Sequence, residues 1–199
     1  MIKYSVEDNK KLIKKYPWLL PHNVWTGKPI EDYDYSYTEL DDMSDGWRIA
    51  FGDLLCEEIQ TELEKYNFVD EYRIVELKSK YGSMRLYDNG YPQGSNIPDI
   101  IGKYSLLSEY ICEICGDLDV PSTNGWITPI CKECIKKLNY KNPEKYWDEI
   151  DKEQKPHTLP LQYKYFRWSK EKGDETVIID ISDTVTRIRK RYAERKNSE

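Results

Sequence analysis

Residues 47–66 read WRIAFGDLLCEEIQTELEKY, and residues 72–87 read YRIVELKSKYGSMRLY. At about 100° per residue, Ile49, Phe51, Leu55, Cys56, Ile59, Leu63 and Tyr66 share one arc of a helix. Asp53, Glu57, Gln60 and Glu64 share the other, while Arg48 and Glu62 break the pattern. The expectation is a largely buried helix with one acidic stripe, capped by Asp42 or Ser44. Cys56 reads as a core thiol, because no histidine neighbours it in sequence. Residues 72–78 are half alternating and β-branched, residues 80–83 supply a turn, and residues 84–87 return, so this stretch predicts a hairpin.

The flanks follow the same logic. Residues 5–15 predict a short helix that stops before Pro17. Residues 18–43, rich in Pro, Asp and Tyr, predict an ordered loop anchored by Trp18, Leu19, Leu20 and Trp25. Residues 98–109 predict a helix with Ile100, Ile101, Tyr104 and Leu107 inward, and residues 143–150 a short one. Residues 163–168 and 176–181 predict a second hairpin, turning at Lys172-Gly173-Asp174. A last helix follows, capped by Ser182 or Asp183, with Val185, Ile188 and Tyr192 inward. Strands in hairpins, not alternating with helices, indicate α+β: antiparallel hairpins packed with a buried helix.

Cys112-x-x-Cys115 and Cys131-x-x-Cys134 flank a 15-residue spacer. Two thiolates three residues apart reach one ion, and two such pairs complete a tetrahedron. The pattern predicts an inserted treble-clef or zinc-ribbon module. Four cysteines leave no coordination position for water or substrate, so the expected zinc is structural. The organisation expected is an α+β region over 1–109, the zinc module over 110–140, and a hairpin and helix over 141–199 packed with the first region.

The chain has 199 residues, 39% apolar and 33% charged, which excludes collagen, a rod and a low-complexity chain. No apolar run reaches membrane-spanning length, and the N-terminal stretch lacks a secretory pattern, so a cytoplasmic protein without a membrane partner is expected. Net charge is −6. Residues 31–70 hold 13 acidic and two basic residues, whereas the C-terminal end is basic. This polarity orients a partner or simply marks two faces of one domain. The two histidines, His22 and His157, read as loop residues.

Lys78, Lys80, Tyr81, Arg85 and Tyr87 interleave cations with aromatics around Gly82, with Trp126 and Tyr91 as neighbours. This is the mixture that stacks a nucleotide base and holds a phosphate. A solvated hairpin accounts for it equally.

Four segments together resemble a group of small proteins of phages and prophages: Leu54-Leu55-Cys56-x-x-Ile59, Lys80-Tyr81-Gly82-x-x-Arg85-x-Tyr87, Cys112-x-x-Cys115-Gly116, and Gly125-Trp126-Ile127-Thr128 before Cys131. The resemblance covers about residues 40–138. Some members carry histidine at the fourth ligand position, where this chain has Cys134. It implies an accessory gene of a mobile element, acting on host physiology or host defence, and it brings no catalytic residues. The expected function is a non-enzymatic, zinc-stabilised binding protein that sequesters a small nucleotide or grips a host defence protein. One alternative is a nucleic-acid-binding regulator using the basic C-terminal helix and the zinc module, beside which Lys132, Lys136, Lys137 and Lys141 make a short basic run. Another is a phosphodiesterase or nuclease drawing metal ligands from Asp41, Asp42, Asp45 and Asp53, or a base from His22 or His157.

Overall fold

Trp47 is fully buried, and its indole N–H donates to the carbonyl of Ile111 at 2.9 Å. It lies in the central helical run of a computed structural model that describes residues 4–23, 25–122, 127–138, 158–169 and 173–198. Helix α1 (Val6–Lys15) is capped by Ser5, whose hydroxyl accepts from the Asp8 N–H at 3.1 Å. The central run comprises α2 (Asp45–Trp47), a π-helical turn (Arg48–Gly52) and α3 (Asp53–Lys65). Strands β1 (Ile74–Lys80) and β2 (Ser83–Asp88) form one antiparallel hairpin. Helix α4 (Ile97–Ser108), the cysteine segment with α5 (Lys132–Lys137), a second antiparallel hairpin of β3 (Gln162–Ser169) and β4 (Gly173–Asp180), and α6 (Ser182–Lys196) complete the described elements. The architecture is α+β with two separate two-stranded sheets. The helix expected over 143–150 lies outside the described residues.

One apolar core joins Trp18, Phe51, Leu55, Ile59, Met84 and Tyr104 to Leu159, Ile181, Val185 and Ile188. The two ends of the chain therefore close over the same helix. The central run buries the expected arc at Phe51, Leu55, Cys56, Ile59 and Leu63, opposite a polar stripe that includes the exposed Asp53 and Glu64, and departs from it at a few positions. Ala50 and Leu54 are buried, Ile49 is half-buried, and Tyr66 is exposed. Ile49 and Ala50 lie in the π turn, whose extra residue shifts their phase relative to α3, and Tyr66 is the C-cap residue, past the last helical residue Lys65. The two polar residues that break the apolar pattern are buried with partners. Arg48 pairs with Asp41 beneath the ring of Tyr4. Glu62 accepts from Lys65 at 2.6 Å and from the N–H of Asn96 at 2.7 Å, which fixes the start of α4. Ser44 does occupy the position before α2, but its hydroxyl donates to Glu113 instead of capping the helix. At α6 the side-chain acceptor is Asp180, which takes the Ser182 N–H.

Trp25 does not anchor its loop. Asn23 accepts from the N–H groups of Trp25 and Thr26, both at 3.0 Å, and this tight turn leaves the indole 92% exposed at its tip.

The turn of the first hairpin is Tyr81-Gly82, both with positive φ (55° and 72°), as a two-residue turn between right-twisted strands requires. The outer edge of β2 is not left open. Ser108 of α4 accepts the Met84 N–H and Ser105 donates to the Met84 carbonyl, both at 2.8 Å.

The start of α2 meets the cysteine segment backbone to backbone. The Gly46 N–H donates to the Glu113 carbonyl at 2.8 Å. A Cβ on Gly46 would stand 2.0 Å from the Cys112 carbonyl oxygen and 2.6 Å from the Gly116 nitrogen. Those atoms are main chain and cannot swing aside. Gly46→Ala is therefore expected to cost about 3 kcal/mol or more of folding stability. Urea unfolding checks this, and a midpoint equal to the parent's would contradict the close approach.

Candidate metal centre and an adjoining cleft

Cys112 and Cys115 sit in a tight turn closed by the Gly116 N–H to the Cys112 carbonyl at 3.0 Å. Gly116 takes φ +75°, which lets the chain reverse beneath the thiols. Short bridges then pair Ile111 with Leu118 and Ser122 with Pro129. Cys131 caps α5, and Cys134 lies in its first turn. The order of turn, hairpin bridges and helix is that of a treble clef.

The four Sγ atoms lie within 4.8 Å of one another. Cys115 Sγ and Cys131 Sγ are 3.6 Å apart, far beyond a disulfide. A tetrahedron with metal–sulfur bonds of about 2.3 Å has edges of about 3.8 Å, so the spacing fits four thiolates around one ion. Two N–H groups point at sulfur, Cys131 to Cys112 and Cys134 to Cys131, each at 3.4 Å. The hydrogen bond from Cys115, with those from backbone N–H groups, pulls the Cys112 thiol down to about 5. Burial pushes Cys131 up to about 12. Among the described residues no other group of three or more potential ligands comes together.

Two of the four carboxylates named for catalysis are engaged elsewhere. Asp41 holds Arg48 and the Thr38 N–H, and Asp53 pairs with Arg191 at 3.2 Å. Cys56 is fully buried, and burial pushes its thiol far above the ordinary value. His22 is half-buried, with Nδ1 2.5 Å from the Leu20 carbonyl. His157 and Lys141 lie outside the described residues.

The cations of α6 hold this module. Arg189 bridges both oxygens of Asp119 at 2.9 and 3.1 Å. Lys196 lies 3.3 Å from Asp117, and Arg195 donates to the Gly116 carbonyl at 3.3 Å. Towards the core, Arg187 pairs with Glu57 at 2.7 Å.

The first hairpin divides the residues singled out for a ligand. Arg85 and Tyr87 line a cleft of about 580 Å³ between β2 and α4, together with Tyr91, Ile101, Glu109 and Tyr163. Lys78 stands opposite Arg85 in register and lies over the Tyr87 ring at 5.4 Å, paired with Glu76. Lys80 and Tyr81 belong to the hairpin tip, where Gly82 abuts Ile127 and Pro129 of the cysteine segment. Trp126 lies outside the described residues. Sequence reasoning missed Glu109 and Tyr163. Both come from distant segments, and no local pattern marks them. Desolvation raises the Glu109 carboxyl above its ordinary value, against the opposing pull of Arg85 and a hydrogen bond to Ser83.

Fold and site together define a small α+β protein with a four-cysteine cluster, close enough to hold a metal ion, built onto its core. No family model matches the chain, and no curated protein or solved structure matches it either.

Cys131→Ser removes one of four thiolates and one sulfur acceptor. It is expected to abolish stoichiometric metal and to unprotect the backbone of residues 110–138, read by elemental analysis and hydrogen exchange. Retained metal and an unchanged melting temperature would refute the centre. A second expectation concerns Glu39. Burial, with repulsion from Asp42, pushes its carboxyl up to about 7, against the His22 N–H that it accepts. Between the ordinary value and 7 the folded chain keeps a proton that the unfolded chain has lost, so this group makes stability fall as pH rises. Glu39→Gln should therefore gain in melting temperature relative to the parent between pH 5 and 7.5. A constant difference across that range would contradict it.

Proposed function

We propose that the protein is a zinc-stabilised, non-enzymatic binding protein of phage or mobile-element type, and that it sequesters a small nucleotide signal of host defence in the cleft between β2 and α4. The observation that carries the reading is the cleft itself. Its volume of about 580 Å³ falls in the range of small-ligand sites, and it has apolar walls with a few polar groups. Tyr87 and Tyr91, each 47% exposed, offer faces for a base, and Arg85 and Lys78 offer cations.

Zinc is the ion that four thiolates at tetrahedral spacing favour. Bound there it supplies rigidity, since the four sulfurs fill its coordination sphere. The alternative of nucleic-acid binding is opposed by the engagement of Arg187, Arg189 and Arg191 with carboxylates of the same chain. A host defence protein remains the second reading, favoured by the exposed Tyr81 and Ile127 at the junction of hairpin tip and cysteine segment.

Calorimetry of the full chain against cyclic mono- and dinucleotides tests the first reading. A saturable signal is expected, weakened at least tenfold by Arg85→Ala and by Tyr87→Ala. Absence of heat with every nucleotide would discard it in favour of the protein partner.

A further inference from the structure

The charges lining the cleft allow its ligand to be narrowed. Among the described residues one cation, Arg85, lines it, against two carboxylates, Asp88 and Glu109. Both oxygens of Asp88 are engaged, Oδ2 by the Tyr72 hydroxyl at 3.2 Å and Oδ1 by the Gly90 N–H at 3.0 Å. Glu109 is held within the electrostatic reach of Arg85, yet the two make no ion pair. The one hydrogen bond that Arg85 makes among the described residues goes to Ser105 Oγ at 3.2 Å. Most of its five donors therefore remain for a ligand.

A carboxylate repels a phosphate, so the Glu109 end of the cleft does not suit the phosphate of a nucleotide. It suits the base. Resting on the nucleotide reading above, we infer that the cleft selects a guanine base, with Glu109 accepting from its N1–H and N2–H groups and Arg85 donating to its O6 and N7. Guanine alone among the common bases presents two donors on its pairing edge beside two acceptors on its neighbouring edge. Adenine offers an acceptor at N1, which faces a carboxylate with lone pairs on both sides. Tyr87 and Tyr91 stack on the ring, and Lys78 over the Tyr87 ring places a cation at the rim for the phosphate. Arg85 is thereby a base-reading group, and Lys78, paired with Glu76 at 2.6 Å, would exchange that partner to hold the phosphate.

The test is calorimetric titration of the metal-loaded full chain with 3′,5′-cyclic GMP, cyclic IMP and cyclic AMP. These three share ribose and phosphate and differ at the base edge. The expected order is cyclic GMP tightest, cyclic IMP weaker through loss of the N2 donor, and cyclic AMP at least tenfold weaker than cyclic GMP. Glu109→Gln should bring cyclic GMP and cyclic AMP within about threefold of each other, with circular dichroism unchanged. Equal or tighter binding of cyclic AMP by the parent, or a preference for cyclic GMP that Glu109→Gln leaves intact, would overturn the guanine assignment while leaving the nucleotide reading standing. No binding of any of the three would overturn the guanine assignment, and the nucleotide reading would fall with it only if cyclic dinucleotides gave no heat either.

Discussion

Two glycines meet where the central helix begins. The Gly46 N–H bonds the Glu113 carbonyl, and a side chain on Gly116 would strike the Gly46 carbonyl oxygen at 2.7 Å. No side chains separate the two segments here, so the position of the cysteine turn is set by the helix backbone. Trp47 and Ser44, on either side of Gly46, reinforce the join through Ile111 and Glu113. An ion held by Cys112 and Cys115 would therefore also hold the stretch of chain on which Trp47 rests, and would couple its binding to folding of the core. The hairpin tip abuts the same module through Gly82, so the cleft on the other side of β2 inherits its placement from the metal centre.

Charge provides the second level of organisation. The acidic segment and the basic C-terminal helix meet within one chain. Arg187 and Arg191 face Glu57 and Asp53 of α3, and Arg189, Arg195 and Lys196 face Asp119 and Asp117 of the cysteine segment. Exposed pairs of this kind contribute little individually, typically below about 1 kcal/mol. Arrayed along α6 they fix its register across two parts of the fold, while Val185 and Ile188 supply the buried area. The uneven charge of the sequence is an internal matching pattern.

What could be read from the sequence is what is local. The four-cysteine spacing, the Tyr81-Gly82 turn and the inward stripe of α4 each lie within a short window, and each is found in the structure. Trp25 was misleading because burial was inferred from its size, whereas the Asn23 turn decides its place. Ile49 departs from the expected arc because a π turn has no sequence signature comparable to proline or glycine, and Tyr66 because α3 ends at Lys65. Arg48 and Glu62 looked like flaws in an apolar pattern. Their partners, Tyr4 with Asp41 and Lys65 with Asn96, are assembled by the fold. The cleft was only half visible: Arg85 and Tyr87 belong to the hairpin motif, but the wall opposite comes from α4 and from Tyr163, whose phenol packs on Gly102.

The π turn carries one more implication. Such a turn is the scar of an inserted residue, and it sets the angular phase between Trp47, which faces the cysteine segment, and Leu55 and Ile59, which lie in the apolar core. Shortening Arg48–Gly52 by one residue would restore an ordinary helix and swing one of these surfaces by about 100° relative to the other. The length of this stretch is thus under a stricter constraint than its composition, and related chains are expected to vary freely in the side chains of the turn before they vary in its residue count.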